Sequence, residues 1–469
     1  MVCIFAMNAI QCPKEFEGDL GVMPFMSTKY IGCAGLVVLI LFFIRENQKV
    51  SPTTKDLRSD ISKPLPFLVK AIDDILDSLP VVLWDVNDPE KLLKAGARNA
   101  GLPESGYSPD VVKAIRALCR SLEQDNVKLH WVGRKNFHTM IVTGLSGYLQ
   151  IQEAHRSNPE LSMQALNDPI IVVGLPRSGT THLHRLLALA PDSLSIPLYE
   201  HNSPVPPKRG IDMRRWILEA RFFVWKPLAN RFGMDSVHLI RPNLPDECTF
   251  SLRLSGCSHL FWWMTPVYSY LEWLTSPDAT MEESYKTYRR VLQLIQARDP
   301  SKRIILKCPT HILALDTLSK VIPEARIVLT HRDPTKLVAS EASLIARLHT
   351  VSAKHPIDSD RSVKANAIKS IHYSQKLVEF ASRCPKHKVY NVAYNKLVND
   401  PVALVEDIYK FCGIDMTPAF EELLSEHLSQ NKQHSHGKHN YPLKIPGLTE
   451  MEIDEGLKDY RDFFAEYIG

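Results

Sequence analysis

Apolar residues follow two patterns along this chain. The first is a short continuous run: Ile170–Val173, Arg303–Leu306, Ala325–Thr330 and Val389–Tyr394. Continuous runs of this length, rich in Val and Ile, predict strands covered on both faces, as in a parallel sheet. The second pattern recurs every three to four residues. Leu183, Leu186, Leu187 and Ala190 mark a helix from Thr180 that Pro191 stops, and Val111–Leu122 and Phe137–Ala154 repeat the spacing. Asp333 as N-cap and Pro334 as first helical residue start another helix, through about Ala346. Strands alternating with helices predict an α/β fold, a three-layer parallel sheet spanning residues 166–469.

Upstream the pattern differs. Residues 1–45 contain a 15-residue apolar run, Tyr30–Ile44, between Lys29 and Arg45. As a helix it rises only about 22 Å against a hydrocarbon core of about 30 Å, but it is apolar on every face, which predicts a short N-terminal membrane anchor. Arg45, Lys49, Lys55 and Arg58 outnumber the basic residues before the run. The positive-inside rule therefore puts the chain downstream of the run in the cytosol, with a lumenal orientation as the alternative. Met26 offers an alternative start. Residues 46–165 read as a polar linker to about residue 65, then a helical lead-in without a motif.

The strand at 170, the loop after it and the helix from Thr180 carry the chemistry. Gly174, Pro176 and Gly179 punctuate the loop. Backbone N–H groups and the helix dipole converge there on an anion, so a phosphorylated ligand is expected. Gly174 and Gly179 have the spacing of a nucleoside-triphosphatase loop, but Thr180 stands where that loop carries lysine. The positive charge sits inside the loop, at Arg177. A single terminal phosphate suits this set: backbone, two threonine hydroxyls (Thr180, Thr181) and a guanidinium fork.

Two strand ends add charge. Lys307 and His311 follow the strand at 303, and Arg332 follows the strand at 325, with Ser340 eight positions later. Ligands of parallel α/β sheets sit at the carboxyl ends of strands. The sequence His331-Arg-Asp alone suggests a kinase catalytic loop, but no Asp-Phe-Gly or glycine-rich ATP loop accompanies it.

Together the Pro176–Thr181 segment Pro-Arg-Ser-Gly-Thr-Thr, the Arg332-x₇-Ser340 spacing and the late Gly437-Lys438-His439 resemble the sulfotransferases that use 3′-phosphoadenosine 5′-phosphosulfate (PAPS). The likeness covers roughly residues 165–445. It is nearest the branch with Gly-Leu-Pro-Arg-Ser-Gly-Thr-Thr-His-Leu-His-Arg-Leu-Leu and His-Arg-Asp-Pro, bacterial and invertebrate proteins with poorly defined acceptors.

The resemblance implies a P-loop-like phosphosulfate loop in which Gly174, Pro176, Arg177, Ser178, Gly179, Thr180 and Thr181 hold the 5′-phosphate. It implies a 3′-phosphate site at Arg332 and Ser340, Tyr394 near the adenine, and Gly437, Lys438 and His439 closing over the 3′-phosphate. Lys307 would stabilise the transferring sulfuryl group, and His311 or Glu247 would take the acceptor proton. Two departures stand out. The family's Lys-x-His has two extra residues here, and Arg177 replaces a lysine; arginine keeps its proton, so its role becomes electrostatic.

Bulk properties narrow the picture. A net charge of +4 on 469 residues does not indicate a nucleic-acid binder. Nine cysteines without a C-x-x-C pair indicate neither a disulfide framework nor a zinc site. His434, His436 and His439 lack helical spacing or a nearby carboxylate, so no metal is expected. The absence of an N-x-[ST] sequon favours the cytosolic face. Aromatic clusters at Trp216–Trp225, Phe261–Trp263 and Tyr268–Trp273 lie between the phosphate-site segments. Most are expected in the core and some along an apolar pocket for a small-molecule or lipid-like acceptor. The rival readings are a catalytically inert nucleotide-binding membrane protein and a P-loop kinase.

Overall fold

In a computed structural model, the structure describes residues 62–78, 82–232, 234, 240–354, 357–430 and 447–468. The apolar run at 30–44 and the late loop with Gly437, Lys438 and His439 lie outside the described residues. Among the described residues no helix is long and apolar enough to cross a membrane.

Five parallel strands form one sheet: β1 (Ile170–Gly174), β2 (Ser193–Ser195), β3 (Arg303–Lys307), β4 (Arg326–His331) and β5 (Val389–Ala393), in the order β2-β3-β1-β4-β5. Period-two geometry divides each strand between two cores. Ile171, Val173, Ile304, Leu306, Ile327 and Leu329 join one cluster. Ile170, Val172, Ile305, Val328 and Val392 join the other, on the opposite face. The three-layer α/β arrangement follows, and it explains why the strands read as unbroken apolar runs.

The helices used below are α1 (Phe67–Asp77), α2 (Pro89–Ala100), α3 (Pro109–Gln124), α4 (Trp131–Ser157), α5 (Thr180–Leu187), α6 (Leu198–Asn202), α7 (Arg214–Arg231), α8 (Glu282–Gln296), α9 (Pro334–Ser352), α10 (Ser359–Arg383) and α11 (Pro401–Cys412). Asp333 caps α9 by accepting from the Thr335 N–H, with Pro334 in the first turn, as the sequence predicts. The helix then runs to Ser352, six residues past the expected end, because Ile345, Leu348 and Val351 continue its apolar face into a further cluster. The lead-in helices are not a separate layer. Leu92, Ile115 and Phe137 from α2, α3 and α4 belong to the same cluster as the strand residues Val173 and Leu306.

Helices α9 and α10 pack together around a buried ion pair. Glu341 Oε1 accepts from Lys369 Nζ and Oε2 from the Ser370 hydroxyl at 2.9 Å, with Glu341 and Lys369 each 3% exposed. Removing one partner strands a charge where water cannot reach it. Lys369→Met is expected to lower urea-unfolding stability by about 3–5 kcal/mol. The pair Lys369→Met with Glu341→Leu should recover most of that loss in the same measurement.

Candidate functional site

Four strand ends meet at one edge of the sheet. In register, Val172 lies beside Lys307, Gly174 beside Thr330, and His331 beside Ala393. The glycine loop, Lys307, Arg332 and Tyr394 therefore emerge side by side although they span more than half of the domain's length.

The loop is shaped by close contacts. A Cβ on Gly174 would meet Thr330 Oγ1 at 2.2 Å and Ser178 Oγ at 2.7 Å. Ser178 is fully buried and its hydroxyl meets that of Thr330 at 2.6 Å, pinning the loop to β4. The Ser178 N–H closes a turn onto the Leu175 carbonyl at 3.1 Å. Pro176 fits the second position of that turn, and Arg177, at φ +73°, takes the third, where a type II turn favours glycine. Gly179, at φ +93°, precedes α5, and no side chain caps that helix. Its N-terminal N–H groups are thus left without a side-chain cap at the place where the sequence leads one to expect an anion.

The cationic residues converge on this loop. Arg177 Nε donates to Ser340 Oγ at 3.2 Å, and Arg332 Nη1 donates to the Arg177 carbonyl at 3.2 Å. The Arg332 guanidinium lies 4.2 Å from the centre of the Tyr394 ring. That ring also borders Gly179, where a Cβ would come within 3.2 Å of Tyr394 Cδ2. Arg177, Arg332, Ser340 and Tyr394 thus form one cluster around the glycine loop. His331, next to Arg332, is structural: it bonds the Tyr460 hydroxyl and Asn391 Oδ1, each at 2.9 Å, and stacks on Phe464.

Beside the loop, Lys307 Nζ donates to Glu247 Oε1 at 2.7 Å, and both residues are buried. The Lys307 carbonyl accepts from the Cys248 N–H at 3.2 Å, which stitches the Asp246–Cys248 segment to β3. Burial pulls the Lys307 ammonium down, but Glu247 and Asp246 outweigh it and leave its pKa raised, so the lysine stays charged. Burial lifts the Asp246 carboxyl to about 6 against the pull of Lys307. Glu247 Oε2 is buried with no hydrogen-bond partner among the described residues.

Three buried histidines surround this pair. His184 bonds the Ile305 carbonyl at 3.3 Å, His201 the Ser251 hydroxyl at 2.8 Å, and His311 the Tyr285 hydroxyl at 2.9 Å through Nδ1. Burial pushes all three down to about 3, helped at His184 and His201 by the Lys307 charge. They are neutral rings at neutral pH. Nε2 of His311 and Nδ1 of His184 are buried without a partner among the described residues. His311 stands where the sequence expected it, just past β3, but as a weak base.

A cleft bordered by Phe250, just past the Asp246–Cys248 segment in the chain, has about 680 Å³ of unfilled space, part of it open to solvent. Leu198 of α6, Phe222 and Trp225 of α7, and Phe250, Leu260 and Met264 line it. The aromatic clusters divide as expected. Phe261, Trp262 and Tyr270 are core, whereas Phe222 and Trp225 face the cleft. The sequence reading missed Arg253, which is 1% exposed and also lines the cleft. Its only signal is a lone charge inside the otherwise uncharged run Cys248–Leu254. No metal-holding group of His, Cys, Asp or Glu occurs among the described residues.

Comparison with known proteins agrees with this geometry. The sequence model of the sulfotransferase family matches residues 169–418. An omega-hydroxy-beta-dihydromenaquinone-9 sulfotransferase, Stf3, of Mycobacterium bovis is 25% identical over 299 residues, covering 62% of this chain and 74% of the relative; the Mycobacterium tuberculosis protein of that name matches equally. Among solved structures, sulfotransferase STF1 of Mycobacterium tuberculosis superposes with a TM-score of 0.64 at 26% identity, over 80% of this chain and 99% of that one. Sulfotransferase STF9 of Mycobacterium avium gives a TM-score of 0.68 at 21% identity, over 80% and 96%, a likeness of fold.

The histidines make stability depend on pH. Above the ordinary histidine value of 6.5, folded and unfolded chains both hold neutral rings, and nothing is lost. As pH falls from 6.5 toward 3 the unfolded chain binds protons that the folded chain refuses, costing about 1.4 kcal/mol per histidine per pH unit. Asp246 opposes this between about 6 and 3.8, one group against three. Urea unfolding at pH 5 is expected to show lower stability than at pH 7.5, these three histidines net of Asp246 contributing about 4–5 kcal/mol of the difference and His259, His331 and His349, which burial also holds below 6.5, adding to it. His311→Asn should shrink that gap by about 2 kcal/mol.

Proposed function

The chain belongs to the sulfotransferase family, and from that premise we propose that it moves a sulfuryl group from PAPS to the hydroxyl of an apolar acceptor. The observation that carries the proposal is the convergence of Arg177, Arg332, Ser340 and Tyr394 on the glycine loop. A bisphosphorylated adenosine has two anionic ends, and this chain offers two cationic groups a loop's width apart.

The residues suit the donor. Gly174 lets Thr330 and Ser178, and Gly179 lets Tyr394 and Leu397, pack directly against the loop's backbone, and the uncapped N-terminus of α5 leaves its donors for an anion. The N–H groups and hydroxyls of Thr180 and Thr181, with Arg177, would hold the 5′-phosphate. Arg332 and Ser340 would hold the 3′-phosphate, with Tyr394 toward the adenine. Gly437, Lys438 and His439 would close over the 3′-phosphate. PAPS, when bound, supplies the sulfuryl group and a phosphate leaving group. Arginine and lysine neutralise these phosphates without a metal.

Lys307 would stabilise charge on the transferring group as the acceptor oxygen bonds to sulfur and the sulfur–phosphate oxygen bond breaks. The acceptor proton goes to a neighbouring base. Glu247 is the candidate in direct contact with Lys307, its Oε1 holding that ammonium while its Oε2, like Nε2 of His311, has no partner among the described residues. His311 is a weaker choice because burial holds it near 3. The apolar cleft lined by Phe250, three residues past Glu247, would take the acceptor, a reading supported by the relative whose name gives a hydroxylated dihydromenaquinone as substrate. A membrane anchor at 30–44, with the catalytic part on the cytosolic side, would bring the enzyme to such a molecule.

Incubation with labelled PAPS and a panel of lipid, sterol, phenol and sugar acceptors tests the reading. Label should pass to a hydroxylated lipid, and tight binding of the adenosine bisphosphate with no transfer to any acceptor would favour an inert nucleotide-binding protein. Arg332→Ala is expected to weaken binding of the adenosine bisphosphate by about 2–4 kcal/mol in calorimetry. Glu247→Gln should cut turnover by about 10²–10⁴ while leaving that binding intact. If Glu247→Gln keeps full turnover and His311→Asn loses it, His311 is the base.

A further inference from the structure

The polar end of the apolar cleft is cationic and uncompensated. Arg253 reaches it from the floor, where its guanidinium donates only to neutral oxygens: Met140 carbonyl, Thr143 Oγ1 at 3.1 Å, and the Asn202 carbonyl and Oδ1 at 2.8 Å each. Its Nε is buried with no partner among the described residues. Arg221, on the face of α7 that lines the cleft, is partly buried and has no hydrogen bond, ion pair or ring contact among the described residues. Lys135 stands near enough for its charge to be felt, its own ammonium lying 5.3 Å from the Trp84 ring.

These cations repel one another. Burial lowers the pKa of all three, and the Arg221 charge lowers Lys135 and Arg253 further; no carboxylate among the described residues offsets any of them. An unpaired charge held against apolar walls costs several kcal/mol. Two buried lysines in this fold are matched, Lys307 by Glu247 and Lys369 by Glu341. The cleft's cations instead face walls that are largely aromatic and aliphatic.

We infer that this cleft binds an amphiphile bearing an acidic group, the acid meeting Arg221 at the cationic end and the apolar body lying along Phe222, Trp225 and Leu260. This rests on the cleft being the acceptor site, and it narrows the acceptor to a hydroxylated apolar molecule with a carboxylate, sulfate or phosphate elsewhere on it. Leu198 and Asn202 of α6 line the cleft, and His201 between them sits in the charged cluster around Lys307. The cleft and the cluster around Lys307 thus share helix α6.

Calorimetry on the full chain without donor tests it, using ω-hydroxypalmitic acid and the matching neutral diol. The acid is expected to bind about tenfold or more tighter than the diol. Arg221→Met should erase that preference and leave diol affinity unchanged, and Arg221→Lys should keep most of it. Because Arg221→Met removes an unpaired charge, it should fold and unfold at a higher urea concentration than the parent. Equal binding of acid and diol by the parent, or equal loss of both in Arg221→Met, overturns the inference. Affinity for the adenosine bisphosphate, measured alongside, separates the two readings: its loss in the parent sinks the donor assignment, whereas its presence without acid preference sinks only this one.

Discussion

The site depends on the in-register pairing of four parallel strands. Backbone hydrogen bonds between β3, β1, β4 and β5 set the level at which each strand ends, and so the level at which each charged side chain leaves the sheet. A slip of one residue in β4 would turn Ile327 and Leu329 from one core to the other and carry Arg332 away from the Arg177 carbonyl. Because Ile327 and Val328 belong to separate apolar clusters on opposite faces, the cores forbid that slip. Packing thus fixes electrostatics. The residues that recognise charge need no stability of their own, since buried Val, Ile and Leu hold their backbone.

Charge near that edge is kept in balance by two different means. Lys307 is buried and retains its proton because Glu247 and Asp246 lie against it, which makes it a fixed positive centre in a medium where charges act strongly. The three histidines beside it take the opposite course and stay neutral, so they add no positive charge to the neighbourhood. On the loop side the arginines reach one another through oxygen atoms, Arg332 through the carbonyl of Arg177 and Arg177 through the hydroxyl of Ser340.

Much of this was legible in the sequence, for local reasons. Strand runs announce themselves by composition, and the loop by glycine spacing. Arg332 could be placed because it follows a strand immediately, so its height is fixed by the strand's end. The turn at Pro176 was visible, but not that Arg177 would occupy a position usual for glycine. Other features depend on partners far away in the chain. Nothing in Ser178 alone points to Thr330, and nothing in His201 or His311 says that each would be sealed from water by helices such as α8. Arg253 was missed because its partners, Met140, Thr143 and Asn202, come from segments without a motif. For the same reason the helical lead-in read as an appendage, although Phe137 and Leu92 complete the core behind β1. The readings at 30–44 and 437–439 fall outside the described residues.

The conformation of Arg177 ties these threads together. A side chain with a Cβ in the left-handed region costs of order 1 kcal/mol, more than glycine would in the same turn. Such a cost persists where the surroundings over-determine the backbone. Here Pro176 presets the preceding residue, the Ser178 hydroxyl is fastened to Thr330, and Gly174 lets β4 approach so closely that a Cβ could not fit. Glycine at 177 would relax the turn and delete the guanidinium that reaches Ser340. Retaining arginine in a position shaped for glycine is intelligible if the guanidinium is needed at that spot. The strain and the charge are then two aspects of one constraint: the loop would present its backbone N–H groups and a fixed cation to the same anion, as the proposed donor site requires.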